Sequence, residues 1–255
     1  MKLFRIVSAL LGLFLMAGCA APAPPPPIKA LFLTGGGYHD YKKLAPFLTN
    51  SLGERVNVTF DVDFTMDRLN APDFARDYDV VVYDLCFDEA PPEQLRNALD
   101  TIRAGKPAVM IHCAVHAFRR VQPIIREWEN GVGMRSKVHD RFEPFQVEKK
   151  DPGNPILAGW PENWKTGGDE LYQTIEFLPH SHPLLTAKSP IDGRVHIVCW
   201  TQTYGKGRVF ATTLGHDMTT AQDQDYQRLL AHGLLWACDK LGSDGKAKGG
   251  YGKTE

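Results

Sequence analysis

Blocks of apolar residues, cut by turn residues, set the rhythm of this chain from Lys29 onward. The run KALFL (residues 29–33) has the length and continuity of a short buried strand. It leads into a glycine-rich turn, TGGGYHDY (residues 34–41). Apolar positions at helical spacing predict a helix over residues 41–52. VNVTFDV (56–62) and DVVVYD (79–84) predict a second and a third strand, and the unbroken apolar run of the latter suits burial on both faces. PPEQLRNALDTIRAG (91–105) predicts a helix, with prolines at its start and Gly105 at its stop. PAVMIH (107–112) is the fourth strand. Strands alternating with helices imply a parallel sheet with right-handed crossovers.

The second half is less regular. RFEPFQVEKKD (141–151) reads as an extended excursion. VHIVCWTQTYGKGRVFATTLGHD (195–217) reads as a hairpin turning at Gly205 and Gly207. An amphipathic helix over residues 225–241 follows, and then a polar, glycine-rich stretch (243–255) whose composition predicts disorder. Neither a repeat nor a second domain is visible.

Composition changes this picture little. The 255 residues are enough for one well-buried α/β domain. A net charge of -1 gives no basic field for nucleic acid. The amino terminus is different. Lys2 and Arg5 precede an apolar run (6–16) too short to span a bilayer comfortably, and small residues lead to Cys19 in LMAGC. This resembles a bacterial lipobox, with Met16 where the pattern prefers Leu, so simple signal cleavage is the alternative. The expected organisation is a signal peptide at 1–19 lipidated at Cys19, a proline-rich linker at 20–28, one domain at 29–242 and a tail at 243–255. The expected location is a bacterial membrane, on the periplasmic face or cell surface, with the lipid as the membrane contact. Cys86, Cys113, Cys199 and Cys238 lie in or beside apolar runs without metal-type spacing, and read as buried free thiols.

Ligands of parallel α/β sheets gather at the carboxyl ends of the strands. That rule selects residues 35–41, 84–88 and 112–119. In AVMIHCAVHAFRR (108–120), two residues compete for the tight turn after the fourth strand. With Cys113 at its apex, the chain would be a cysteine hydrolase, because helix-end N–H groups can hold an oxyanion there. With His112 at the apex, no nucleophile is present. A glutaminase would need a late His-x-Glu pair, which is absent; the late histidine beside an acid is His216, followed by Asp217.

Several motifs in order resemble the ThuA-like (trehalose utilisation) family of the class I glutamine amidotransferase-like superfamily. They are TGGGYHDY, MIHCAVHAFR, the isolated His139, NPILAGWPENWKTGGDELY, and VCWTQTYGKGRVFATTLGHD with GLLWACDKL behind it. The resemblance runs from about Lys29 to Leu241 and departs at Asn154, where relatives often carry histidine. It implies a single-domain, flavodoxin-like parallel sheet with helices on both faces. It also implies histidine at the elbow, which gives the apex to His112, and a polar pocket drawn from His39, Asp40, His112, His116, His139, Glu170 and His216. The implied activity lies in carbohydrate catabolism, on a disaccharide or keto-sugar, as a hydrolase, lyase or isomerase.

Imidazoles with one carboxylate suit zinc, manganese or iron, and suit acid–base work near neutral pH. The expected roles are His112, His139, Glu170 and His216 in catalysis, with His112, His139 and His216 as metal ligands. Gly36, Gly37, His39, Asp40, His116 and Arg119 would contact a sugar or glycoside. The alternative is a module that binds a sugar without reacting. Blander readings stand beside these. The glycines lack a P-loop ending and can simply turn the chain. Asp169 and Glu170 can be solvated charges. Asp84 and Asp88 can cap the helix at residue 91, and Arg119 can pair with an acid. His180, His182, His196 and His232 read as surface residues, and the tryptophans read mainly as packing.

Overall fold

The computed structural model describes residues 24–253. The expected signal peptide, Cys19 and residues 20–23 of the linker lie outside the described residues. Among the described residues, no helix is long and apolar enough to cross a membrane.

An eight-stranded sheet runs through the domain. Its parallel part consists of β1 (Ile28–Gly36), β2 (Val58–Asp63), β3 (Val80–Cys86), β4 (Ala108–Ile111) and β10 (Gly207–Thr212). Antiparallel strands complete it: β6 (Val147–Lys149), β8 (Ser181–Lys188) and β9 (Val195–Tyr204). The strand order is β2-β1-β3-β4-β10-β9-β8-β6. A separate pair, β5 (Met134–His139) and β7 (Tyr172–Phe177), is antiparallel and aligns His139 with Tyr172.

Alternation along the central strands feeds two apolar layers. Ala30 and Phe32 of β1 join Val109, Ile111 and Phe210 against α1 (Tyr41–Arg55) and α5 (Gln224–Ala237). Leu31 and Leu33 join Val81, Met110 and Val209 against α2 (Pro92–Arg103) and α3 (Ile125–Val132). Burying each such side chain contributes about 1.5–3 kcal/mol. Helices therefore cover both faces of the sheet, as the alternating pattern implied. The chain reverses direction of travel across the sheet at β1, and the carboxyl ends of β1, β3, β4 and β10 lie side by side.

Four local expectations are corrected. Cys86 and Cys113 form a disulfide, because one ends β3 and the other follows its parallel neighbour β4; their Cα atoms are 5.2 Å apart. Cys113 therefore offers no thiolate for a hydrolase. Residues 243–253 are not free: Asn57 N–H donates to the Tyr251 carbonyl at 2.8 Å, and Lys253 N–H to the Arg55 carbonyl at 2.9 Å. Helix α2 takes no side-chain cap, since Asp84 is buried and Asp88 pairs with Arg119 at 2.7 Å. His196 is fully buried, accepting a hydrogen bond from Thr174 N–H at 3.0 Å and facing Asp192 at 3.2 Å.

Candidate functional site

The strand ends bring three histidines together. His39 follows β1, His112 follows β4 and His216 follows β10. The turn that carries His112 has positive φ (46°), a backbone conformation that side chains rarely adopt and that often marks functional sites. The turn is anchored from below. His112 Nδ1–H donates to the Thr213 carbonyl at 2.6 Å, which fixes the tautomer and leaves the Nε2 lone pair for the site. Tyr172 Oη lies 3.3 Å from that Nε2.

One nitrogen from each of His39, His112 and His216 lies within 4.8 Å of the others. His39 stands edge-on to both partners, with ring centroids 4.8 and 4.7 Å away. Its Nδ1 is buried and lacks a hydrogen-bond partner. Burial, with the neighbouring His112 and His216, pushes its pKa down to about 3, so the ring is neutral at physiological pH. A neutral imidazole with an unused lone pair, beside two others, is the donor set that zinc and its neighbours accept. The residues therefore fit a divalent metal. The three nitrogens that converge are those of His39, His112 and His216, while His139 Nε2 lies 3.6 Å from Glu170.

Glu170 joins the histidines into one cluster. Its Oε2 lies 3.5 Å from His112 Nε2, 3.6 Å from His139 Nε2 and 3.2 Å from His216 Nδ1. Burial works to raise its pKa, but the neighbouring His112 and His216 outweigh this and hold it well below the usual carboxylate range. His216 is raised in turn: burial acts downward, and Glu170 more than offsets it. His139 Nδ1–H donates to the Asp140 carbonyl at 2.8 Å, which turns Nε2 toward Glu170.

The loop holding His216 is set by a residue read as a solvated charge in the sequence. Asp169 is fully buried. Its carboxylate accepts from Gly215 N–H at 2.8 Å, His216 N–H at 3.2 Å and the Thr220 hydroxyl at 2.8 Å. It also faces His112 Nδ1 at 3.9 Å. Three further residues complete the wall. His116 is buried, shares a 2.8 Å hydrogen bond with Ser136 Oγ and stacks on Tyr172 at 3.9 Å between centroids. Arg119 is tied to Asp88, which also accepts from the Tyr38 hydroxyl at 2.7 Å. His39, Cys113, His116, Arg119, Glu170 and His216 are among the residues that line a cavity of about 130 Å³.

Two expected positions fall elsewhere. Asp40 points outward and pairs with Lys43 at 2.8 Å. Gly37 has open space around it, whereas Gly36 is required: at φ 110° a Cβ would lie 2.2 Å from the Cys86 carbonyl oxygen. Tyr38 and Tyr172 were missed as site residues. Their signal was position, one beside a strand-end histidine and the other two residues after Glu170.

Fold and site together define a single-domain α/β protein with a histidine-rich site at the carboxyl ends of its parallel strands. The ThuA family, described as trehalose utilisation, matches residues 29–237, and the chain belongs to it. Solved structures agree on the fold. A ThuA-like protein from Parabacteroides merdae is 23% identical with a TM-score of 0.71, covering 88% of this chain and 97% of its own. One from Bacteroides uniformis is 16% identical with a TM-score of 0.69, covering 86% and 94%. A β-galactosidase from Bacillus circulans is 11% identical with a TM-score of 0.56, and the match covers 83% of this chain but 30% of the enzyme. No curated protein matches the sequence.

Proposed function

We propose that this protein acts on a sugar, a disaccharide or keto-sugar derivative, by metal-assisted acid–base chemistry at the histidine cluster. The observation that carries this is the convergence of His39, His112 and His216 on one point, with Glu170 touching two of them. His39, His112 and His216 would hold zinc, manganese or iron, which as a Lewis acid would polarise a sugar carbonyl or hydroxyl. His139 Nε2 accepts a proton from a substrate hydroxyl, and the Glu170 carboxylate, 3.6 Å away, stabilises the imidazolium that forms. Tyr172 and His116 form a stacked wall that orients the ring.

Export with lipidation at Cys19 belongs to the same proposal. The Cys86–Cys113 disulfide supports it, since such bonds persist in oxidising compartments. A Cys19→Ser variant that still fractionates with membranes would rule out the anchor.

The decisive test of the site is elemental analysis of the purified domain beside a His112→Ala, His216→Ala double variant. Near-stoichiometric metal that vanishes in the double variant, with keto-glycoside turnover falling at least a hundredfold, is the expected result. Absence of metal from both proteins removes the metal, and saturable sugar binding without product would make the site a binding module.

A further inference from the structure

The cavity at the histidine cluster, about 130 Å³, falls below the roughly 300–1,000 Å³ of small-molecule sites. A second cavity of about 330 Å³ adjoins it. His116 and Arg119 border both. The shared wall is fixed, because His116 is held by Ser136 on one side and stacked on Tyr172 on the other. Together the two spaces reach the size range of a site for a two-unit ligand.

The second cavity has its own chemistry. Arg119, Arg126 and Lys137 line it, against a single carboxylate, Glu129. Glu129 is already committed: Arg126 reaches it at 3.1 Å and Arg135 at 2.9 Å. Lys137 is exposed and makes no ion pair among the described residues. Arg119 is likewise paired with Asp88 at 2.7 Å, so the charge left over is the single positive charge of Lys137, and nothing in the histidine chemistry uses it.

We propose that this cavity is a subsite for the second unit of a disaccharide-sized substrate, and that this unit carries an anionic group, a uronate carboxylate or a sugar phosphate. The reacting unit sits on the histidine cluster; the anionic unit sits beyond His116 and Arg119, with its charge at Lys137. The assignment rests on the proposed function, because it takes the histidine cluster as the reacting end.

Calorimetric titration of the intact domain tests it with three probes: trehalose, a disaccharide of glucuronic acid and glucose, and a phosphorylated disaccharide. At least one anionic probe is expected to bind tenfold or more tightly than trehalose, and the better one identifies the group. The advantage should shrink in 1 M salt, where screening is strong. Lys137→Glu and, separately, Gln122→Glu should remove the preference, weakening the anionic probes at least tenfold more than trehalose, with metal content unchanged. Both positions are on the surface, so the fold should tolerate them. Equal affinity for all three probes, or a preference that survives both variants, overturns the subsite. Failure of the histidine reading shows separately, as absence of metal with the anionic preference intact.

Discussion

Asp169 shows how one side chain can set a site without lying in it. In the loop that carries His216, Leu214 packs into the core, but the N–H groups of Gly215 and His216 find their acceptor in this buried carboxylate. Removing it strands the N–H groups of Gly215, His216 and Glu170, while the Thr220 hydroxyl keeps the Gly168 carbonyl at 3.1 Å. Each stranded buried group costs about 1–3 kcal/mol. Asp169→Ala should therefore destabilise the domain by roughly 3 kcal/mol or more in urea unfolding, and should lose metal even where it folds. Asp169→Asn keeps the shape and two lone pairs, so a milder loss is expected. Equal stability of Asp169→Ala and the parent would show that water replaces the carboxylate. In sequence, the acid pair at 169–170 was visible but its partition was not. Adjacent residues face different surroundings, and only the fold shows that Asp169 points into the loop while Glu170 points at the histidines. His112, His216 and Glu170 were legible because strand ends and motifs fixed their place. His39 was legible as a site residue, but its role as the third member of the triad depends on a distance across the sheet.

At the scale of elements, the periodic pattern placed the central strands and the helices at 41–55, 92–103 and 224–237 close to where they lie. The hairpin of β9 and β10 was also legible, since two glycines sit at its turn. The small β5–β7 pair was not. Its outward positions include Val138 and Ile175, both exposed, so no clean alternation marks it. The contact between α5 and β10 depends on a glycine that sequence alone would class as a flaw in a helix. At Gly233 a Cβ would lie 2.5 Å from the Phe210 ring. Gly233→Ala improves helix propensity by up to about 1 kcal/mol, yet overpacking a tight contact costs about 1–3 kcal/mol. The clash outweighs the propensity because Phe210 is buried in the sheet and cannot swing away. A lower urea midpoint with unchanged slope is expected; a higher midpoint would mean that the ring moves.

The whole molecule is closed by two long-range links that local pattern could not show. The Cys86–Cys113 bond joins the ends of two adjacent strands, 27 residues apart in sequence. A loop of that size predicts about 3–4 kcal/mol of stabilisation from chain entropy. Thermal unfolding should thus come at lower temperature in reductant, and peptides bearing Cys86 and Cys113 should be linked in unreduced digests; recovery of both as free thiols would refute the bond. The second link is the carboxyl-terminal segment. Its lysines and glycines resemble a solvated tail, and composition cannot register that Lys240 lies over the Tyr251 ring at 4.7 Å or that the Lys248 N–H donates to the Lys240 carbonyl at 2.7 Å. From there the chain reaches Arg55 and Asn57, where α1 ends and the edge strand β2 is about to begin. Truncation after Gly242 removes two backbone hydrogen bonds to that junction and the packing of Tyr251, together about 2–3 kcal/mol. For a domain of this size that lowers Tm by roughly 4–12 °C. The loss should be local before it is global. Amide exchange should quicken at residues 55–60, while metal content stays constant, because the histidine cluster hangs from the far ends of the central strands. An unchanged Tm with unchanged exchange would show that the segment rests on the domain without holding it; faster exchange throughout the sheet would show that β2 is fastened chiefly from this end.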